Sequence, residues 1–374
     1  MAKTEQRTEM WAPNWATHPG EHLAEYIEVN GWSQAEFARI ADLTPKLVST
    51  IIAGRNPVTP DTALRLERVL GVKAQVWLNL QSNWDLYQAR EHESVKAVSP
   101  AAKLWLAEFP IRELKSRGAL PATNDEVALW DGLLRFVGVG SPEAFDAKFE
   151  SLAVCHRQSK AYESSRAHIY AWLKLGEDRA RTFSLPAFDL AAFGEALKKI
   201  RSFTTGNPRD FIPAMQDICR TVGVALVFEP ELPRTRLFGS ARWIEQDRAI
   251  IQMSLRMKKN DHFWWTFFHE AAHLTLHRGR TFVDDERVSE QSLAVEKQAD
   301  QWAEEQLVDR EHFKDFKQRP NFPKSAVVAF SNEVGLHPGI VVGMLQHARV
   351  LPYNQLTDLK TTIDWDSVST AITH

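Results

Sequence analysis

The run His269-Glu270-Ala271-Ala272-His273, set behind Phe263-Trp264-Trp265-Thr266-Phe267-Phe268, constrains this chain more than any other feature. Positions four apart share one face of an α-helix, so both imidazoles can point at a single ion. The aromatic flank, with Leu274 and Leu276 beyond, predicts a helix that is largely buried. Unpaired His and Glu side chains would be costly there. A metal offsets that cost, and one Zn2+ per chain is the expected cofactor. Glu270 stands beside the histidines, placed to take a proton from a water that attacks a peptide carbonyl. On a solvent-facing helix the same five residues would be a chance match.

A catalytic zinc keeps three protein ligands, so a third is required. Glu296 is the expected one. It sits in Val295-Glu-Lys-Gln-Ala-Asp-Gln-Trp-Ala-Glu-Glu-Gln-Leu307, an amphipathic helix whose inner face holds Val295, Ala299, Trp302, Ala303 and Leu307. Asp300 follows one turn later, placed to accept the outward N–H of a liganding histidine, with a plain surface charge as its alternative. The Glu296/Asp300 pair resembles the Glu-x-x-x-Asp arrangement of thermolysin-like peptidases. Competing ligands are His277, Glu286 and Glu290. Three successive turns of one straight helix cannot close round a single ion, which leaves His277 beside the ligands or at the surface. The acids from 284 to 290 read as a polar connecting loop. Ala249 to Leu255, an apolar β-branched run, reads as an edge strand able to pair with a peptide substrate.

At 374 residues the chain exceeds one ordinary core, and three segments are expected: 1–95, 96–205 and 206–374. The fold class read from the pattern is α+β and predominantly helical. An all-α helix-turn-helix domain leads, a helical linking region follows, and a domain with a small β-sheet carries the His-Glu helix, an arrangement that resembles the zincin-like peptidases. Strands are expected over Val224–Phe228, Gly239–Ile244 and Ala249–Leu255, after a helix from Phe211 to Val222. Tryptophans and phenylalanines of the middle region read as core. No run approaches the roughly 20 apolar residues of a membrane span, and Met1–Met10 is unlike a signal peptide, so a cytoplasmic protein without membrane contact is expected. Cys155 and Cys219 lie far apart and read as reduced and buried.

The formal charge of −3 argues against indiscriminate polyanion binding by the whole chain, and residues 1–90 hold nine Lys or Arg against ten Asp or Glu. DNA binding must therefore rest on placement. Helix one carries Leu23, Ile27 and Val29 and stops at Asn30-Gly31. Ser33 caps a second helix, Gln34 to Ile40, with Glu36 at the capping-box position. After Ala41-Asp42-Leu43, Thr44 caps a third helix with Pro45 at its first position, ending at Gly54. A fourth follows Thr59-Pro60-Asp61 to Gly71, and a fifth runs through Trp77, Leu80 and Trp84, with a boundary near 92–100. This order is that of a helix-turn-helix, whose last helix enters the major groove. Its outward set is Thr44, Lys46, Leu47, Thr50 and Arg55, with Gln34 at a phosphate from the second helix. A small helical bundle for protein contacts is the alternative.

Four stretches, His18-Pro-Gly-Glu-His-Leu, Gly31-Trp-Ser-Gln-Ala-Glu-Phe-Ala, Asp61-Thr-Ala-Leu-Arg-Leu and Trp77-Leu-Asn-Leu-Gln-Ser-Asn-Trp-Asp-Leu, resemble the HigA-type antitoxins of the XRE helix-turn-helix family over about residues 17–90. Leu255 to His273, the Glu296 helix and Gly335-Leu-His-Pro-Gly-Ile-Val-Val-Gly-Met-Leu-Gln-His resemble the ImmA/IrrE metallopeptidases over roughly 210–358. Two departures are noted, Ala272 where glycine is common and Met344 where arginine is common. The resemblance implies a regulator whose first unit binds an operator, usually as a dimer, and whose second cleaves a repressor. Three functions stay open: a regulator with an active zinc peptidase acting on a repressor, a partner toxin or itself; an antitoxin-like operator binder whose metal domain only senses or docks; and a toxin-like peptidase.

Overall fold

The computed structural model describes residues 16–150, 155–158, 166–277, 290–363 and 365–369. They fall into two compact units, Met1–Lys103 and Leu104–His374. The first is all helix: α1 (Pro19–Val29), α2 (Gln34–Ile40), α3 (Pro45–Ile52), α4 (Pro60–Leu70) and α5 (Ala74–Ala97). Local chemistry fixes the boundaries. Ser33 Oγ accepts from Glu36 N–H at 3.2 Å while Glu36 Oε2 accepts from Ser33 N–H at 2.8 Å, which satisfies two otherwise orphaned donors at the start of α2. Thr44 and Thr59 cap α3 and α4, each followed by proline, and Gly71 ends α4 at φ 73°. Leu23, Ile27, Phe37, Val48, Ile51, Leu66 and Trp77 form one core. Val29, carried by the same helix, is 84% exposed at the last turn of α1.

The division falls within α6 (Pro100–Glu108), and the second unit runs on through α7 (Ile111–Ser116), α8 (Glu126–Val137), α9 (Phe145–Glu150), β1 (Cys155–Gln158), α10 (Arg166–Ala180), α11 (Leu190–Arg201) and α12 (Pro208–Thr221). It continues through β2 (Val224–Phe228), β3 (Leu237–Glu245), β4 (Arg248–Met253), α13 (Asn260–Leu276), α14 (Glu290–Leu307), α15 (Arg310–Lys317), α16 (Lys324–Val334), α17 (Pro338–His347) and α18 (Trp365–Ser369). The sheet order is β1-β3-β4-β2, with β2 parallel to β4 and the other pairs antiparallel. In register, Val224 faces Ala249 and Gly239 faces Met253. The sheet is covered on both faces, which is why β2 and β4 read as nearly unbroken apolar runs.

Two expectations change here. The run Ala249–Leu255 is no edge: β4 lies between β3 and β2, with both rows of backbone groups committed to its neighbours. Residues 104–205 belong to the same compact unit as the sheet. Phe193, Leu197 and Ile200 of α11 share a core with Val224, Ile251 and Phe267. On α10, the carbonyls of Leu173 and Trp172 accept from Arg242 at 2.5 Å and Gln252 at 2.7 Å, two buried side chains of the sheet. Such polar atoms are tolerated inside only because they are paired. Glu229, at the end of β2, is held by Arg117 at 2.6 Å and Arg179 at 3.1 Å.

Candidate metal centre and helix-turn-helix surface

Helix α13 is apolar nearly all round, and Phe263, Trp264, Phe267, Phe268, Ala271, Ala272 and Leu274 are buried. A helix of that kind has to lie inside the unit, and it carries His269, Glu270 and His273 inside with it, at 1%, 0% and 3% exposure. Helix α14 packs along it, burying Val295, Ala299, Ala303 and Leu307 while Glu296 and Asp300 turn toward the histidines. The two Nε2 atoms lie 3.2 Å apart, and Glu296 reaches them with Oε2 at 3.1 Å from His269 and Oε1 at 3.6 Å from His273. One donor atom from each of the three residues falls within 4.8 Å of the others.

The outer nitrogens are oriented too. Asp300 Oδ1 lies 3.0 Å from His269 Nδ1 and accepts its proton, leaving Nε2 to face inward. His273 Nδ1 lies 3.2 Å from His277 Nδ1, whose own Nε2 is 3.3 Å from Gln298 Oε1. An amide oxygen only accepts, so His277 donates from Nε2 and accepts the His273 proton at Nδ1. His277 is therefore a buried positioning neighbour, at 5% exposure, and no ligand. Its place four residues beyond His273 was the signal for this; nothing in the sequence singled out Gln298. Glu286 lies outside the described residues, as does the side chain of Glu290.

The electrostatics follow from crowding. Burial lowers the His269 pKa, but hydrogen bonds to Asp300 and Glu296 outweigh it and hold it at about 9. His273 is pushed down to about 3 by burial and by the neighbouring His269 charge. Burial raises Glu296, yet its bond to His269 and the histidine charges bring it below the ordinary carboxylate value. Gly239 on β3 completes the site. A Cβ there would stand 2.7 Å from Glu270 Oε1 and 2.8 Å from Thr266 Cγ2, so only glycine lets the strand pass this close to the carboxylate. The Gly335-Leu-His-Pro-Gly motif acts at the head of the same helix: His337 Nδ1 meets Asn260 Nδ2 at 2.8 Å.

In the first unit, Gln34, Lys46 and Arg55 are exposed on or beside α2 and α3, as is Thr44, whose hydroxyl caps α3 by accepting from Leu47 N–H at 3.2 Å. Thr50 is half-buried and donates back to Lys46 O at 2.9 Å. Leu47 packs partly on the core. Ser49, which the sequence reading passed over, is exposed on α3. The alternation of buried Val48 and Ile51 with exposed Lys46 and Ser49 leaves one polar face of α3 in solvent.

Helices of this length, order and turn define a helix-turn-helix unit, and the comparisons with known proteins agree. The helix-turn-helix family profile matches residues 23–77. Virulence-associated protein I of Dichelobacter nodosus is 38% identical over 87 residues, 23% of this chain and 81% of that protein. The uncharacterized HTH-type transcriptional regulator YddM of Escherichia coli K12 is 36% identical over 73 residues, 20% of this chain and 78% of its own length. A solved structure of an addiction module antidote protein of a HigA family from Coxiella burnetii is 34% identical, with 22% of this chain and 96% of that one covered, at a TM-score of 0.21. Through this N-terminal unit the chain belongs to the helix-turn-helix family of XRE type, DNA-binding transcriptional regulators with antitoxin-like relatives. Among the described residues no single helix is long and apolar enough to cross a membrane.

Proposed function

We propose that this chain is a cytoplasmic operator-binding regulator, acting as a homodimer, whose second unit is a zinc-dependent endopeptidase. Its substrate class is a protein of the same regulatory circuit, a repressor or a partner toxin. One observation carries the enzymatic part: two imidazole nitrogens and one carboxylate oxygen converge within 4.8 Å, beside a fully buried Glu270. Two nitrogens and one oxygen suit zinc, whereas magnesium and calcium favour all-oxygen sets. The residues therefore fit the ion, with His269, His273 and Glu296 holding it.

Bound zinc would supply Lewis acidity to the peptide carbonyl and to the attacking water. The chain's own groups do the rest. Glu270 takes the proton from that water and returns it to the leaving amine. Asp300 and the His277–Gln298 pair keep both histidine Nε2 lone pairs turned inward. Burial keeps bulk water from screening these charges.

Glu270→Gln tests this directly. The variant is expected to keep about one zinc per chain, measured by elemental analysis, while cleavage of proteins in the producing cell falls by about 10²–10⁴-fold. His273→Ala and Glu296→Ala are expected to lose the metal. Zinc bound by all these variants alike would remove the metal reading. Zinc bound only by the intact set, with identical cleavage products from wild type and Glu270→Gln, would leave the second reading, an antitoxin-like operator binder with a sensing or docking metal domain. The match of the first unit to helix-turn-helix regulators favours that alternative. It predicts that Lys46→Ala abolishes repression and that Glu270→Gln leaves it intact.

A further inference from the structure

In the turn from β4 to α13, three of the four residues Arg256-Met257-Lys258-Lys259 are basic, and all four line one small recess with Phe238 and Thr266. The turn is held stiffly. Leu255 and Lys258 sit at φ 53° and 50°, a left-handed conformation that non-glycine residues seldom adopt and that gathers at binding sites. Lys258 N–H donates to Leu255 O at 3.1 Å and Lys258 O accepts from Ile363 N–H at 3.1 Å, so the strained residue is tied from both sides. Arg256 donates to Arg236 O at 3.0 Å and meets Glu231 at 3.5 Å, and Lys259 Nζ donates to Thr362 Oγ1 at 3.2 Å. Met257 and Lys258 are exposed. The first acid of α13, Asp261, is buried and matched internally by Lys360 at 2.5 Å, so it leaves the positive charge of the turn standing.

We infer that this basic rim captures an acidic stretch of the substrate protein, a few residues from the bond to be cut. The recess joins the rim to the candidate site: Thr266 stands one turn before Glu270, and both crowd the Cβ position of Gly239. Lys259 precedes Glu270 by about 16 Å of helix, a distance that an extended chain spans in about five residues. Phe238, His262 and Trp265 lie along the way and are only half-buried, so a chain has surface to rest on. Carboxylates of the guest would meet Lys258 and Lys259, and Met257, 46% exposed, offers an apolar contact between them. A nucleic acid suits the rim less well. Single strands need aromatic faces on which bases stack, and the Phe238 ring is already engaged by Arg256 at 5.5 Å and by His262 stacked at 6.1 Å. The inference rests on reading α13 as the catalytic helix, but its test needs neither zinc nor cleavage.

The test is fluorescence anisotropy of the full chain with labelled peptides of about twelve residues, long enough to span site and rim, in glutamate-rich, glutamine-rich and lysine-rich versions. The glutamate peptide is expected to bind about five- to ten-fold more tightly than the glutamine one at low salt, a few-fold from each exposed ion pair, with the difference fading at high salt. Lys258→Glu combined with Lys259→Glu should reverse the order, so that the lysine peptide binds best, a result that loss of folding cannot produce. No binding of any peptide, equal binding of all three, or a glutamate preference that survives the charge reversal would overturn the assignment. So would an oligothymidylate of equal charge that binds more tightly than the glutamate peptide and is released by the same reversal, since the rim would then be a nucleic-acid site. Should the double variant unfold, Lys258→Gln, at an exposed side chain, still decides by whether the glutamate preference shrinks. Zinc content and the Glu270→Gln comparison on the same samples tell separately whether the peptidase reading has failed.

Discussion

At the scale of single residues, the His269–His273–Glu296 cluster sets two opposing pH trends. His269 has its pKa raised to about 9 in the folded protein without metal. Its ion pairs therefore stabilise the fold fully below the ordinary histidine value of about 6.5 and are lost as pH climbs through about 9. His273, depressed to about 3, works the other way: the stability it contributes is present above about 6.5 and is lost as pH falls toward 3. Metal-free protein is expected to melt highest near the middle of this range, as thermal scans across pH would show. Zinc has to displace the proton from His269, so its affinity should rise about ten-fold per pH unit between roughly 7 and 9. Calorimetry in buffers of different ionisation enthalpy would count the released proton, and a pH-independent affinity would contradict the assignment of His269 as a ligand. Gly239→Ala is a second residue-scale case. The added methyl collides with Glu270 and should cost about 1–3 kcal/mol of stability, read by denaturant titration.

The convergence of the two histidines was legible because a helix obeys one period: four residues from His269 to His273 put both rings on one face wherever the helix lies. Glu296 and Asp300 followed from the same rule on a second amphipathic helix. Gly239 and Gln298 were not legible, since their roles come from a strand and a helix brought alongside from elsewhere in the chain.

At the scale of elements, capping chemistry made the first unit readable almost to the residue. Ser33, Thr44 and Thr59 each announce a helix through a side chain that bonds its own next turn. His18 does the same for α1 through Nδ1, a less common cap that sequence rules pass over. Three of the four strands were placed by their apolar runs; β1, at Cys155–Gln158, was missed, and the order was not legible, because neighbours in a sheet are chosen by tertiary packing. The Arg117–Glu229–Arg179 cluster, a buried carboxylate between two partly exposed arginines, shows how the helical middle is tied to β2. Arg117→Ala leaves Glu229, 1% exposed, with half its compensation. A loss of about 1–3 kcal/mol is expected, the cost of leaving a buried charged group short of one partner. Arg117→Ala combined with Glu229→Gln should recover part of it in a double-mutant cycle. For α3, Lys46→Ala is expected to weaken binding to duplexes selected from random DNA by about ten-fold and to flatten the salt dependence by about one ion. Unchanged binding would move recognition off this helix.

At the scale of the whole molecule, the two units have separate cores: Leu23, Phe37, Ile51 and Trp77 on one side of the division, the sheet with α11 and α13 on the other. A fragment ending after α5 should therefore melt cooperatively and bind the selected DNA, and the remainder should bind zinc by itself. A fragment of the first unit that lacks a cooperative transition would show that the division by contacts is not a division of stability. The expected linking region at 96–205 misread this level, because helical periodicity says that a face is buried without saying against what.

The strand order has one more consequence. Among the described residues, with β3 and β4 hydrogen-bonded on both sides, only β1 and β2 present an outward row of amide and carbonyl groups. A guest chain that lengthens this sheet must dock at one of those two flanks, and one that lies directly along β3 must first evict Cys155–Gln158.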